Sequence, residues 1–461
     1  MAEGIVARGL KRVRQLLSEQ VAGGLTARQA AQIREQLTDC AASLGGEISA
    51  RQRAARLAET YLALDDAGRA AFLAIVAVEF GPDAVAVEKA HAKYQAAIGN
   101  DHQWAAESEL RGAMRSARLR ILTQFNAMPQ GVKFLVDLRA DLLRYLDKNP
   151  ALRSLDRELE SRLGAWFDVG FLELQRISWN SPALLLEKLI EYEAVHAIRS
   201  WSDLKNRLGS DRRCYAFFHP RMPMEPLIFV EVALVDELAG NVQTLLDEHA
   251  PVFDAEKAKT AIFYSISATQ PGLRGVSFGN FLLKRVVDDL QRDFPRLGTF
   301  ATLSPIPTLR RWVDKHPQAL GEAFTPEVIA RVARQSGARG AEIHGIDDIR
   351  KILADGAWVD HARLSRALQP GLTRLAARYF VGAKSGDRPY DPVSRFHLGN
   401  GARIERINTL ADISPNGLKQ SYGLMVNYLY DPDAIENNLE AFSRDGVVAT
   451  SGTVRRAARE A

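Results

Sequence analysis

The chain has 461 residues, 46% of them hydrophobic and 25% charged, the composition of an ordinary soluble protein with enough apolar mass for two substantial cores. Its net charge of +4 is too small for this length to mark a nucleic-acid surface, and it attracts anionic ligands only weakly. No apolar run is expected to cross a bilayer, and the two cysteines, Cys40 and Cys214, offer neither a disulfide framework nor a zinc site and suit a reducing compartment.

The first residues, MAEGIVARGLKRVRQLL, are basic and amphipathic. Glu3 and Glu19 interrupt that pattern and the periodicity runs on, so a first structural helix is expected rather than a targeting segment. Residues 1–178 read as all-helical, with only Pro82, Pro129 and Pro150 interrupting. Thr26 to Gln29 and Ser49 to Gln52 have capping-box spacing, in which a hydroxyl and a glutamine satisfy each other's backbone N–H groups. Apolar residues recur at helical spacing through Phe72, Ile75, Val76 and Phe80, and again through Leu135, Leu138, Leu142 and Leu146. No chemical motif appears here, so this domain reads as a helical scaffold for oligomerisation.

Composition changes near Trp179-Asn180-Ser181-Pro182, and residues 179–461 form the second expected domain. A helix is expected from about Pro182 to Ile198. Residues 214–218 and 227–234 are rich in aromatic and β-branched side chains and predict an antiparallel pair. Residues 261–268 predict a third strand, with Ile262, Tyr264 and Ile266 on one face and Phe263, Ser265 and Ser267 on the other. Helices are expected over 308–380, with β structure again at 402–408 and 421–430. The fold class is α+β, a helical domain followed by a mixed or antiparallel sheet domain.

The stretch from Ala261 to Pro307 alternates strand, glycine-bearing loop, helix and strand. From Phe278 the positions Phe278, Leu282, Val286, Leu290 and Phe294 repeat every fourth residue, a helix packed on a sheet. Its N-terminal turn, Gly275 to Asn280, has the N–H groups and dipole that favour an anion. Gly275 and Gly279 permit close backbone approach, and Arg274 adds a charge suited to a pyrophosphate. The spacing is neither a Walker A loop nor a dinucleotide fingerprint. Two glycines and an arginine also suit a turn that binds nothing, and these residues alone leave both readings standing. Arg274-Gly275-Val276-Ser277-Phe278-Gly279 does resemble the acyl-CoA loop of the GNAT acyltransferase superfamily, with Ser277 where that family has its first glycine.

The segments CYAFFHPRMPMEPLIFVEVAL, AIFYSISATQPGLRG, LSPIP, HLGNGA and YGLMVNYLY occur in that order, and together they resemble the malonyl-CoA decarboxylase family. The similarity is strongest from Ile177 to Phe442. It implies a GNAT-like catalytic domain behind the helical domain, and conversion of malonyl-CoA to acetyl-CoA and carbon dioxide without metal or organic cofactor. It assigns the catalytic roles to Ser304 and His397, and malonyl-CoA binding to Arg274, Gly275, Val276, Ser277, Phe278, Gly279 and Asn280 as well as to Ser304 and His397. It further implies a homo-oligomer, a tetramer, in fatty acid metabolism, while the cysteines point to a cytoplasmic protein and the charge and hydropathy to no nucleic acid or membrane partner. Animal relatives can carry a peroxisomal tripeptide, and Arg459-Glu460-Ala461 is not that signal.

Without the resemblance, Ser304 is a strand terminator beside proline and His397 a turn residue. With it, Ser304 orients the carboxylate or the enolate, and His397 delivers a proton as an imidazole titrating near neutral pH. His219, His316, His344 and His361 have no comparable support. A GNAT acyltransferase and a non-catalytic CoA-binding protein are the alternatives. Incubation with malonyl-CoA alone separates them, since decarboxylation needs no second substrate.

Overall fold

The computed structural model describes residues 24–42, 46–276, 281–336 and 343–459. The helix expected at Met1 to Leu17 and the loop residues Ser277 to Asn280 lie outside the described residues. The chain separates into two compact units. The first holds the chain up to Glu173 with Phe218–Pro226 and Gln270–Phe278, and the second holds Leu174–Phe217, Leu227–Thr269 and Gly279–Ala461.

The first unit is built on the helices Ala27–Ala42, Glu47–Leu62, Asp66–Glu79, Ala84–Ala97, Gln103–Ala113, Ala117–Ala127, Gly131–Tyr145 and Arg153–Trp166. Both expected apolar stripes face its core, where Phe72, Ile75 and Val76 join Leu135, Leu138 and Leu142. The capping box at Thr26 forms: Gln29 N–H donates to Thr26 Oγ1 at 3.2 Å and Thr26 N–H to Gln29 Oε1 at 2.9 Å. The one expected at Ser49 does not. That helix starts at Glu47, after Gly46 in an extended conformation, which puts a carboxylate in the first turn and leaves Ser49 inside it. One further expectation needs correcting. The 32 residues Asp66–Ala97 are long and apolar enough to cross a membrane by length and composition. Phe72, Leu73, Ile75 and Val76 within it are buried, as in the core helix of a globular unit.

The second unit is organised by a mixed sheet of β1 (Glu173–Ile177), β2 (Arg212–Phe218), β3 (Ile228–Val235), β4 (Thr260–Ala268), β5 (Thr299–Thr302), β6 (Ser304–Pro305), β9 (Arg403–Asn408) and β10 (Met425–Tyr430). A separate ribbon pairs β7 (Lys384–Ser385) with β8 (Arg388–Pro389). The order is β1-β2-β3-β4-β5-β10-β6, with β9 also on β10. β2 and β3 are antiparallel as expected, while β4 and β5 run parallel. β1 falls where helix was expected. The helix expected to reach Ile198 spans Ala183–Tyr192, because the Glu193 carboxylate accepts the N–H groups of Val195 and His196 and turns the chain.

Two irregularities shape the sheet. In the β3–β4 ladder Val232 faces Phe263 but Glu231 faces Ser265, so Tyr264 is an extra residue. The expected alternation therefore breaks. Phe263 and Ile266 share the Val230–Val232 face, and Ile262, Ser265 and Ser267 share the other. The second irregularity is a parting of strands. β4 pairs with β5 only to Phe263 and Thr302, after which β4 follows β3 to Ala268. The departing chain stays on β10 in unbroken register, with Phe300 opposite Tyr430 and Ser304 opposite Val426.

Candidate active site

Ser304 lies where that departing strand ends, and Pro305 follows it within β6. Thr302 is two residues earlier and projects from the same face. The Ser304 hydroxyl donates to Thr302 Oγ1 at 2.8 Å and lies 3.1 Å from His397 Nε2. Thr302 Oγ1 also accepts the Tyr428 backbone N–H at 3.2 Å.

His397 comes from the helix Pro392–Leu398, whose sequence dictates both ends. Asp391 caps it by accepting the Ser394 N–H at 2.9 Å, and Pro392 opens the first turn. The same carboxylate accepts from Thr308 Oγ1 at 2.9 Å and Tyr379 Oη at 3.3 Å. Burial nevertheless raises the Asp391 pKa above the ordinary carboxylate value. After the helix, Asn400 and Ala402 N–H groups both return to the His397 carbonyl at 3.1 Å. Gly401 turns there at φ +78°, where a Cβ would meet the Ile435 carbonyl oxygen at 2.4 Å. The second glycine of the HLGNGA segment is thus required by the turn that fixes the histidine.

The imidazole is buried, at 2% exposure. It stacks on Tyr428, and its Nδ1 lies 2.7 Å from the Tyr430 hydroxyl. Burial pushes its pKa down to about 3, and it raises both tyrosines well above their ordinary value. This corrects the expectation of an imidazole titrating near neutrality: His397 is a neutral ring there. One proton polarity satisfies the whole chain. Tyr430 donates to Nδ1, Nε2–H donates to Ser304, and Ser304 donates to Thr302. Such a chain can hydrogen-bond an oxyanion and move a proton between its members without burying a net charge.

The structure brings the sequence-assigned Ser304 and His397 within 3.1 Å of each other, and the sequence reading did not name Thr302, Tyr428, Tyr430 or Asp391. Both tyrosines stand in the quoted segment YGLMVNYLY, and Thr302 was reachable from period-two alternation. Of the loop residues, Arg274 is exposed, Gly275 has φ +84° and Val276 is buried. Ser277, Phe278, Gly279 and Asn280 are among those outside the described residues. His219 serves the first unit, bonded to the Trp166 carbonyl at 3.1 Å.

Residues 170–461 match the family described as malonyl-CoA decarboxylase C-terminal domain, and residues 80–167 match its N-terminal domain. The chain belongs to the malonyl-CoA decarboxylase family. It is 42% identical over 337 residues to the mitochondrial malonyl-CoA decarboxylase of Mus musculus, covering 70% of this chain and 68% of that one. It is 38% identical over 405 residues to the mitochondrial malonyl-CoA decarboxylase of Anser anser anser, covering 85% and 80%. Among solved structures, the malonyl-CoA decarboxylase of Rhodopseudomonas palustris is 41% identical with a TM-score of 0.82, over 92% of this chain and 99% of that one. That of Cupriavidus metallidurans is 42% identical with a TM-score of 0.72, over 94% and 100%. The α+β architecture, helices first and a mixed sheet after, is thus that of solved malonyl-CoA decarboxylases.

Proposed function

We propose that the protein decarboxylates malonyl-CoA to acetyl-CoA and carbon dioxide at Ser304 and His397. The observation that carries this reading is the buried chain Tyr430–His397–Ser304–Thr302, assembled from three separate segments around a neutral imidazole. Loss of carbon dioxide leaves the C–C bonding pair on the α-carbon, delocalised as an enolate onto the thioester oxygen. The thioester is itself the electron sink, so the reaction needs no metal or organic cofactor.

Ser304 and His397 Nε2–H are suited to meet the oxygen where that charge develops. One donor so placed contributes about 3–4 kcal/mol to the transition state. An enolate is basic enough to take up the proton held between Ser304 Oγ and His397 Nε2. As Nε2 gives up that proton, Nδ1 takes the Tyr430 proton, and a solvent water reprotonates Tyr430 in the same event and leaves as hydroxide. Neither the imidazole nor Tyr430, whose pKa burial raises, is left as an anion. Acyl transfer to Ser304 is not required at any step.

The loop Arg274 to Asn280 holds the CoA pyrophosphate and the start of the pantetheine in this reading. The helical region up to residue 178 builds a homotetramer, which sedimentation of the full-length chain at micromolar concentration tests; a monomer removes that part. A cytoplasmic location is supported by two buried free thiols, Cys40 and Cys214, whereas the curated relatives are mitochondrial proteins. Activity is tested by incubating the protein with malonyl-CoA alone. Acetyl-CoA and carbon dioxide formed in equal amounts support the reading, and unchanged malonyl-CoA overturns it.

A further inference from the structure

One buried arginine grips the backbone immediately before the proposed CoA loop. Arg139 stands on the helix Gly131–Tyr145 and is 2% exposed. Its Nη1 donates to the carbonyl oxygens of Gly272 at 2.9 Å and Arg274 at 2.7 Å. Its Nε donates to Asp156 Oδ1 at 2.9 Å, which fixes the guanidinium from behind. All of these residues belong to the first compact unit.

The chain is shaped for this contact. A Cβ on Gly272 would lie 1.8 Å from the Val136 carbonyl oxygen, so only glycine allows the strand of loop to lie against the helix. Gly275 turns at φ +84°, and a Cβ there would meet Glu160 Oε1 at 2.6 Å. Carbonyl and N–H point in opposite directions across a trans peptide. Holding the Arg274 carbonyl toward Arg139 therefore directs the Gly275 N–H away from the arginine, as a backbone anion site needs. A planar, permanently charged guanidinium fixes that orientation in a way a flexible point charge does not.

We infer that Arg139 is a positioning residue for malonyl-CoA, setting the backbone of Gly272 to Gly275 at the start of the CoA loop from within the helical unit. The inference rests on the reading that this loop binds the CoA phosphates. It gives the helical region a part in substrate affinity beyond that of a scaffold.

The test compares malonyl-CoA with malonyl-pantetheine, which lacks the pyrophosphate, on full-length Arg139→Gln. KM for malonyl-CoA is expected to rise about tenfold or more with kcat changed less than about twofold, and malonyl-pantetheine kinetics to stay at wild-type values. An equal fall in kcat with both substrates overturns the inference, because it reports general damage. If Arg139→Gln does not fold, Asp156→Ala removes the anchor behind the guanidinium and must show the same split, at about threefold or more. A folded variant with wild-type KM overturns the role of Arg139 alone, provided the wild type favours malonyl-CoA. A wild type that uses malonyl-pantetheine equally well overturns the loop reading, and the inference falls with it.

Discussion

The His397 ring lies on the Tyr428 ring, centroids 4.3 Å apart and planes inclined by 25°. Aromatic cover with no nearby charge removes water without offering an anion to the imidazolium, so burial alone drives the pKa down to about 3 from 6.5. Between those values the unfolded chain binds the proton and the folded chain does not. Stability from this group is therefore complete above about 6.5 and falls as the pH drops towards about 3. His196, also lowered to about 4 by burial, acts in the same direction, while the raised Glu231 and Asp391 act against it. The His397 share is isolated by comparing urea midpoints of wild type and His397→Asn at neutral and mildly acid pH. The wild type should lose more on acidification. In kcat/KM, His397 should give no limb at the ordinary histidine value, and an acid limb there that vanishes in His397→Asn would contradict the neutral ring.

Ser304→Ala and His397→Asn should each lower kcat by about 10²-fold or more, the range for a lost oxyanion donor or proton carrier. Because the two groups share one hydrogen bond, the double variant should lose less than the product of the single effects. Acetyl-CoA affinity should change little. Steady-state kinetics and acetyl-CoA titration check this, and folded single variants with near wild-type turnover would sink the assignment.

Tyr430→Phe keeps the ring and removes the one side-chain hydroxyl that, among the described residues, bonds His397 Nδ1. A buried ring nitrogen left without its partner costs about 1–3 kcal/mol. The expected result is a fall in kcat of about tenfold with KM near the wild-type value. A larger rise in KM than fall in kcat would place Tyr430 in substrate binding instead.

The wording of separated segments made the family, Ser304 and His397 legible, because those segments carry turn and strand chemistry that few folds reuse together. Helical periodicity found the core of the first unit for the same reason that it fails elsewhere: it reports one face of one element. It could not show the bulge at Tyr264, which depends on how β3 pairs with β4. Nor could it separate Tyr428 from Tyr430, since one strand carries both on the same face and only the position of His397 divides stacking from hydrogen bonding. Arg139 was illegible for a third reason: its partner Arg274 lies 135 residues further along the chain. Ser49 looked like a cap because the spacing was right, but the helix had already begun at Glu47.

Asp391 offers the sharpest separation of position from chemistry. It touches neither Ser304 nor the imidazole, yet it caps the helix that carries His397 and gathers Thr308 and Tyr379. Asp391→Ala removes the cap, worth about 0.5–2 kcal/mol. Because the Thr308 and Tyr379 hydroxyls lie 2.7 Å apart and one can donate to the other, it leaves one buried hydroxyl short of an acceptor, about 1–3 kcal/mol. The variant should lose stability measurably in urea and lose kcat as the helix start loosens. Asp391→Asn retains an oxygen for the Ser394 N–H, and its amide can donate to Thr308 once that hydroxyl turns. It should therefore keep most of the stability and most of the turnover. If Asp391→Asn were as inactive as His397→Asn while remaining as stable as the wild type, the carboxylate would have to act in the reaction itself rather than through the helix.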